Sequence, residues 1–164
     1  MMKTGIGYDV HQLKEGLPLI IGGVKIESLL GSLGHSDGDC LIHAICDSLL
    51  GASGIGDIGT FFPSDNKKWR NAESHLFLSE VNKMVLQAGY NISNIDCTII
   101  LQKPKLSKYI VNIKKNIAGI LNVDQKNISV KATTTDHLGY IGKSKGWSVI
   151  AISTIYSIDE KNNN

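Results

Sequence analysis

Three residues near the start of the chain have the types and spacing of a metal site: Asp9, His11 and His43. Asp9 and His11 stand at i and i+2, and on a β-strand such side chains leave the same face, so a carboxylate and an imidazole sit side by side. His43 falls on the polar side of a helical pattern. Together they offer three oxygen and nitrogen donors and leave a fourth position open, which is the arrangement of a catalytic zinc site; without thiolates the set also suits Mn or Fe(II). Asp39 and Asp47 lie at i−4 and i+4 from His43 on its helical stripe, and either could accept the second imidazole N–H and fix its tautomer. Taken singly, a strand pair and a helical histidine are more often plain surface or core residues.

Anion-binding features lie close by. His35-Ser36-Asp37-Gly38-Asp39 precedes the helix that carries His43, and a helix N-terminus favours an anion, with His35 and Ser36 as further donors. Equally, Ser36 reads as an N-cap, with Asp39 completing a capping-box-like start. The neighbouring carboxylates would repel a phosphate unless a cation sat between them, so the metal and phosphate readings support each other. Thr133-Thr134-Thr135-Asp136 closes a strand and enters a glycine loop; hydroxyls beside a carboxylate suit a phosphate–Mg²⁺ contact, although a threonine run is also ordinary strand sequence. Gly54-Ile55-Gly56-Asp57-Ile58-Gly59 is not a dinucleotide fingerprint, since no strand precedes it and the spacing differs. His75 falls on a helix surface and His137 in a loop, with no role assigned.

Positioning these residues requires particular elements. Alternation of Ile6, Tyr8 and Val10 with Gly7, Asp9 and His11 predicts a first strand. Leu19-Ile20-Ile21, Gly22-Gly23 and Val24-Lys25-Ile26 predict a glycine-turn hairpin. A helix is expected from Ser36 to about Ala52, with Leu41, Ile45, Ser48, Leu49 and Ala52 inward. Residues 51–63 read as a loop over a site. A second helix over 73–88 turns Phe77, Val81, Met84, Val85 and Ala88 inward and ends at Gly89. A strand over 95–101, a helix over 107–121, a strand over 128–133, a loop over 134–146 and a strand over 147–157 complete the chain. The last strand is apolar on both faces, so it must be covered on both sides, in part by another subunit. This mixture predicts an α+β fold, one sheet with helices on one face, whose other face needs cover by oligomerisation.

The 164 residues suggest one domain over 1–158 with a polar tail over 159–164. Hydrophobic content of 42%, charged content of 20% and a net charge of +2 are ordinary for a globular chain and give no case for nucleic-acid binding. Cys40, Cys46 and Cys97 form no CxxC pair and are odd in number, which favours a reducing compartment. No apolar run of about 20 residues is present, so no membrane span is expected. Met1-Met2-Lys3-Thr4 leads directly into strand-like sequence; no leader is expected, which suggests the cytoplasm, or the plastid stroma if a leader was removed.

Several segments, in order over nearly the whole chain, resemble the 2-C-methyl-D-erythritol 2,4-cyclodiphosphate synthase family of the non-mevalonate isoprenoid pathway. They are Gly5-Ile6-Gly7-Tyr8-Asp9-Val10-His11, His35-Ser36-Asp37-Gly38-Asp39, Ile42-His43-Ala44, Gly56-Asp57-Ile58-Gly59, Phe62-Pro63, Gln102-Lys103-Pro104-Lys105 and Lys131-Ala132-Thr133-Thr134-Thr135-Asp136. The resemblance implies zinc on Asp9, His11 and His43, and a second metal, Mg²⁺ or Mn²⁺, on Asp136. It implies that His35 and Ser36 hold the diphosphate end and the erythritol side, and that Asp57, Ile58 and Gly59, with Phe62 and Asp65 beside them, bind the erythritol. Leu101, Gln102, Lys103, Pro104, Lys105, Leu106 and Ser107 match the cytidine pocket, and Thr133, Thr134 and Thr135 the phosphate contacts; His35 and Thr134 match catalytic positions.

The resemblance also implies a homotrimer with a site at each subunit interface, and Tyr140 and Lys143 match positions near the three-fold axis. The implied reaction converts 4-diphosphocytidyl-2-C-methyl-D-erythritol 2-phosphate to the cyclic diphosphate with release of CMP. Some positions depart from the family pattern. Asp136 stands where Glu is common, Ser64 where Asp is common (Asp65 is adjacent), Tyr140 where Phe is usual, Lys143 where Arg is common and Lys145 where Glu is common. An Arg–Glu pair at the axis therefore cannot form, although the lysines still suit the isoprenoid diphosphate that the axial cavity of some members holds.

Overall fold

A computed structural model of the chain describes residues 1–34, 36–63 and 72–158; the expectations placed on His35, Ser64, Asp65 and the 159–164 tail lie outside those residues. In chain order the elements are β1 (Met2–Glu15), β2 (Leu19–Ile21), β3 (Val24–Ile26), β4 (Leu30–Leu33), α1 (Cys40–Ser53), α2 (Ile58–Phe61), α3 (Ser74–Gln87), β5 (Tyr90–Ile100), α4 (Ile110–Leu121), β6 (Ile128–Thr133), α5 (Gly139–Gly142) and β7 (Gly146–Ser157). Five strands form one sheet in the order β4-β1-β7-β5-β6, and β2 and β3 form a separate hairpin. Strands β5 and β6 run parallel, and α4 makes the crossover that a parallel pair requires. Helix α1 lies on β1 and β7 with α3 beside it, and α4 packs on α3 and β6. The expected α+β layer is thus present.

The last strand occupies the middle of the sheet. β7 pairs with β1 along Met2–Gln12 and with β5 along Tyr90–Ile100. Its inner side chains Trp147, Val149, Ala151, Ser153 and Ile155 are fully or almost fully buried. Burial of a large apolar side chain of this kind contributes roughly 1.5–3 kcal/mol. Polar atoms on this face are paired: Trp147 Nε1–H donates to Ser32 Oγ at 2.7 Å, and Ser48 Oγ–H donates to the Ile45 carbonyl at 2.8 Å. The outer face differs. Ile150 and Ile152 are 39% and 41% exposed and continue into Ile6, Tyr8 and Val10 of β1. The expected cover of β7 is realised within the chain on one side only.

Helix α1 comes unusually close to β1. A Cβ on Gly7 would lie 1.9 Å from the Ala44 carbonyl oxygen, and one on Gly5 would lie 2.2 Å from that of Ser48. Only glycine permits this approach, and it is what sets His43 of α1 against Asp9 and His11 of β1. The start of α1 differs from expectation. Gly38 adopts φ +72°, which turns the chain, and Asp39 rather than Ser36 is the N-cap, accepting Ile42 N–H at 3.1 Å. The same buried carboxylate accepts Gly22 N–H at 3.0 Å and Gly23 N–H at 2.7 Å, where both glycines have the positive φ of a tight hairpin turn. Burial pushes the Asp39 carboxyl up, against the pull of these three backbone donors.

Other boundaries shift for local reasons. β5 begins at Tyr90 rather than 95 because it follows β7 past a bulge between Ile92 and Asn94. Helix α4 begins at Ile110 rather than 107, after a turn closed by Tyr109 N–H on the Leu106 carbonyl. The expected loops over 51–63 and 134–146 contain the short helices α2 and α5. Cys40, Cys46 and Cys97 are free and buried, as expected of small apolar residues, and burial pushes the Cys97 thiol up to about 12. No helix among the described residues is long and apolar enough to cross a membrane.

Candidate metal centre and cleft

β1 and α1 bring Asp9, His11 and His43 together. Asp9 Oδ2 lies 3.1 Å from His11 Nε2 and 3.2 Å from His43 Nδ1, and the two rings meet edge to face with centroids 5.2 Å apart. All three are partly buried, and their donor atoms lie within 4.8 Å of one another. One carboxylate oxygen and two imidazole nitrogens converging on one point fit a divalent ion of the zinc class, with room for a further ligand from outside. The other ring nitrogens are committed elsewhere. His11 Nδ1 faces the Gly38 carbonyl at 3.0 Å, which makes Nδ1 the protonated nitrogen and leaves Nε2 as donor to a metal. His43 Nε2 faces the hydroxyls of Ser74 at 3.1 Å and Ser36 at 3.2 Å.

Helical spacing predicts Asp39 or Asp47 as the partner of that second nitrogen, and neither performs the task. Asp39 is spent on the hairpin and the helix cap. Asp47 accepts Ile58 N–H at 2.7 Å and so holds α2 against α1. At the N-terminus of α1 the Asp39 carboxylate accepts Ile42 N–H. Ser74 was missed, since a serine at the start of a helical pattern reads as a cap. On its other side His43 meets Phe77, ring centroids 6.1 Å apart, and Phe77 packs on Phe62 at 4.9 Å. Phe77 therefore lies against the metal cluster, and Phe62 backs it. Asp57 caps α2, accepting Thr60 N–H at 2.8 Å, and lies exposed with Gly59 in the same loop.

In the metal-free site, burial would push the Asp9 carboxyl up, but hydrogen bonds from His11 and His43 and their charge outweigh it and hold the group well below the usual carboxylate range. Burial would lower the His11 pKa, yet the hydrogen bond and charge of Asp9, with the Gly38 carbonyl, raise it above its ordinary 6.5. The raised value means that the protonated His11–Asp9 pair stabilises the metal-free fold at low pH, and that this stabilisation is lost as pH rises through the folded pKa. A metal competes with the same proton. The expected outcome is a difference in Tm between zinc-loaded and metal-free protein that widens as pH rises from about 6 to about 8. Thermal melts at fixed free zinc measure this, and a pH-independent difference would count against a proton–metal competition at His11.

A cleft of about 370 Å³ opens where β5 and β6 end, lined by Leu101, Gln102, Pro104, Lys105, Leu106, Ser107, Ile110, Ala132, Thr133 and Thr134. The size suits a small ligand. Of the 101–107 run only Lys103 lies outside the lining; Ile110 and Ala132 are additions that the sequence reading did not make. The cleft is tied to the following loop, because His137 N–H donates to Gln102 Oε1 at 3.3 Å. Thr134 Oγ1 lies 3.3 Å from Asp136 Oδ1, whereas Thr135 Oγ1 donates to the Leu138 carbonyl at 2.7 Å. Asp136 has φ +48° and joins no cluster of metal-ligating side chains among the described residues. Tyr140 and Lys143 are exposed and belong neither to the cluster nor to the cleft lining; the Tyr140 hydroxyl is 3.4 Å from that of Tyr8 on the outer face. Register sets the spacing: Asp9 is level with Val149, Val149 with Ile99, and Ile99 with Ala132. Three strand spacings, about 14 Å, separate cluster and cleft within one chain.

These features define a class: a single-sheet α+β chain with a three-donor divalent-metal cluster and, at the same level of the sheet, a cleft for a small ligand. The chain belongs to the YgbB family, whose model matches residues 2–156. A Clostridium acetobutylicum protein named 2-C-methyl-D-erythritol 2,4-cyclodiphosphate synthase is 52% identical over 147 residues, which is 90% of this chain and 95% of that one. The structure of the bifunctional IspDF from Campylobacter jejuni superposes with a TM-score of 0.92 at 38% identity, covering 97% of this chain and 44% of that longer one. The Plasmodium falciparum IspF CDP complex superposes with a TM-score of 0.84 at 40% identity, covering 95% and 96% of the two chains. The family resemblance read from the sequence is thereby shown.

Proposed function

We propose that the chain converts 4-diphosphocytidyl-2-C-methyl-D-erythritol 2-phosphate to 2-C-methyl-D-erythritol 2,4-cyclodiphosphate and CMP, a cyclising phosphorus–oxygen lyase step in non-mevalonate isoprenoid precursor synthesis. The observation that carries this reading is the pairing of the Asp9–His11–His43 cluster with the 101–107/133–134 cleft, in a fold shared with a CDP-bound relative. The substrate's 2-phosphate oxygen forms a bond to the β-phosphorus, and the bond from that phosphorus to the CMP oxygen breaks. The attacking oxygen is already ionised near neutral pH, so no strong general base is needed. What the chain must supply is orientation of two anions and stabilisation of phosphoryl charge.

The residues suit those tasks. Backbone groups and side chains of Leu101 to Ser107 hold the cytidine, with Lys105 toward the phosphates. Thr133 and Thr134 donate hydroxyls, and His35 and Ser36 hold the diphosphate and erythritol side. Asp57, Ile58 and Gly59 border the sugar alcohol. A zinc ion on Asp9, His11 and His43, with Mg²⁺ or Mn²⁺ at Asp136, would supply Lewis-acid neutralisation of the diphosphate.

A homotrimer accounts for two observations: the exposed apolar strip of Ile6, Tyr8, Val10, Ile150 and Ile152, and the separation of cluster and cleft within one chain, which a subunit interface closes. Phosphorus NMR on the purified protein with that substrate is the test. A cyclic diphosphate signal with stoichiometric CMP is expected. Open-chain phosphates carrying ¹⁸O from labelled water would replace this reading with a metal-dependent phosphohydrolase, and nucleotide binding without turnover would reduce the chain to a binding module.

A further inference from the structure

His43 reaches beyond the cluster into a chain of hydrogen bonds that leads to a second carboxylate. When Nδ1 is given to a metal beside Asp9, Nε2 must carry the proton, and it then donates to Ser74 Oγ, 3.1 Å away. Ser74 is fully buried, and its own hydroxyl proton goes to Asp37 Oδ1 in a very short hydrogen bond. The other oxygen of Asp37 accepts Ser74 N–H at 3.0 Å. Asp37 thereby caps α3 from a distant loop, in place of Glu73, the local N-cap, whose side chain makes no capping hydrogen bond. Ser36 Oγ also approaches His43 Nε2, at 3.2 Å, and lies 3.4 Å from Ser74 Oγ. One N–H cannot serve both oxygens well. Ser74 is the better acceptor, because its hydroxyl already donates to a carboxylate, which enriches its lone pairs.

We propose that Asp37 and Ser74 are positioning residues for the metal ligand: the Asp37–Ser74–His43 relay fixes the His43 tautomer, makes Nδ1 a stronger donor, and sets the affinity of the cluster for its ion. This rests on the metal-site reading above. The relay also gives the start of α3 a place in the site, because the helix terminus and the ligand share one carboxylate.

Zinc affinity, measured by competition with a chromophoric chelator, tests this alongside the Tm of each metal-free protein. Ser74→Ala is expected to weaken zinc binding roughly 10- to 100-fold, and Asp37→Asn, which keeps an acceptor for the α3 N–H, by about 10-fold or more. The double variant is expected to be no weaker than Ser74→Ala alone, since the relay is already broken. Ser74→Thr, which retains the hydroxyl, is expected to restore most of the affinity, and Glu73→Gln at the same helix end to leave it unchanged. Equal zinc affinity in the parent and Ser74→Ala proteins overturns the relay while leaving the metal site standing, as do affinity losses that only track metal-free Tm. A parent protein that binds no zinc overturns both.

Discussion

His43→Ala yields a folded protein that holds no stoichiometric zinc and forms cyclic diphosphate at a rate reduced by about 10³-fold or more. Three donors converge on one point in this chain, and two of them, Asp9 and His11, come from a single strand. Without His43 the remaining pair spans too small an angle to retain an ion against water. Lewis-acid neutralisation of a phosphoryl group is worth several kcal/mol, and each 1.36 kcal/mol is tenfold in rate. The fold should tolerate the change because the His43 side chain is not fully buried, and Asp9, 26% exposed, keeps His11 as a partner. Metal analysis of the purified variant and a phosphorus NMR time course give the two readouts. Full turnover in a demonstrably metal-free variant would falsify the role assigned to the cluster.

Gly7→Ala is expected to do comparable damage by a different route. The added methyl would lie 1.9 Å from the Ala44 carbonyl oxygen and 2.8 Å from Ser48 N, both backbone atoms of α1, so no side chain can rotate out of the way. Either α1 lifts off β1 or β1 bends outward, and both movements separate His43 from Asp9. Overpacking of a tight contact costs about 1–3 kcal/mol, and backbone contacts fall at or beyond the upper end. For a chain of this size that corresponds to a Tm fall of roughly 6–12 °C. Zinc affinity should fall with it, even at temperatures where the variant is fully folded by circular dichroism. An alanine variant with parental Tm and parental zinc affinity would show that the helix–strand distance is not what sets the site. Gly51→Ala, on the same helix where a Cβ meets nothing within 4 Å, is the comparison, and both properties should stay near parental values.

The sequence made some of this site legible and hid the rest for identifiable reasons. Asp9 and His11 could be paired because strand periodicity is local, and the tight hairpin followed from Gly22-Gly23. His43 could be placed on a helix, but its meeting with Asp9 depends on a close approach that no periodicity encodes, only the paired glycines at 5 and 7. The partner of its second nitrogen was sought at i±4 on the same helix, where geometry favours contact. It is Ser74, on another helix, and a buried carboxylate that looked free to serve the imidazole was already committed to Gly22, Gly23 and Ile42. The 101–107 run could be tied to nucleotide binding through family resemblance alone, because a cleft at the ends of two parallel strands is a product of the crossover through α4. The short helices α2 and α5 hold too few residues to show a helical period, so both were read as loop.

Placing the last strand at the centre of the sheet has a consequence for how the protein comes into being. β1 is held by β4 along Gln12–Glu15 only, while its stretch from Met2 to Gln12, with Asp9 and His11, pairs with β7. During synthesis Asp9, His11 and His43 therefore leave the ribosome well before β7, the strand that aligns the first two. Such long-range pairing carries the loop-closure entropy of almost the whole chain and makes for slow folding. Until residue 157 is released, the nascent chain has the donors of the site without its geometry. Metal acquisition is thus expected to follow release of β7, and a metal-loaded molecule would be one in which β1 and β7 have already found each other.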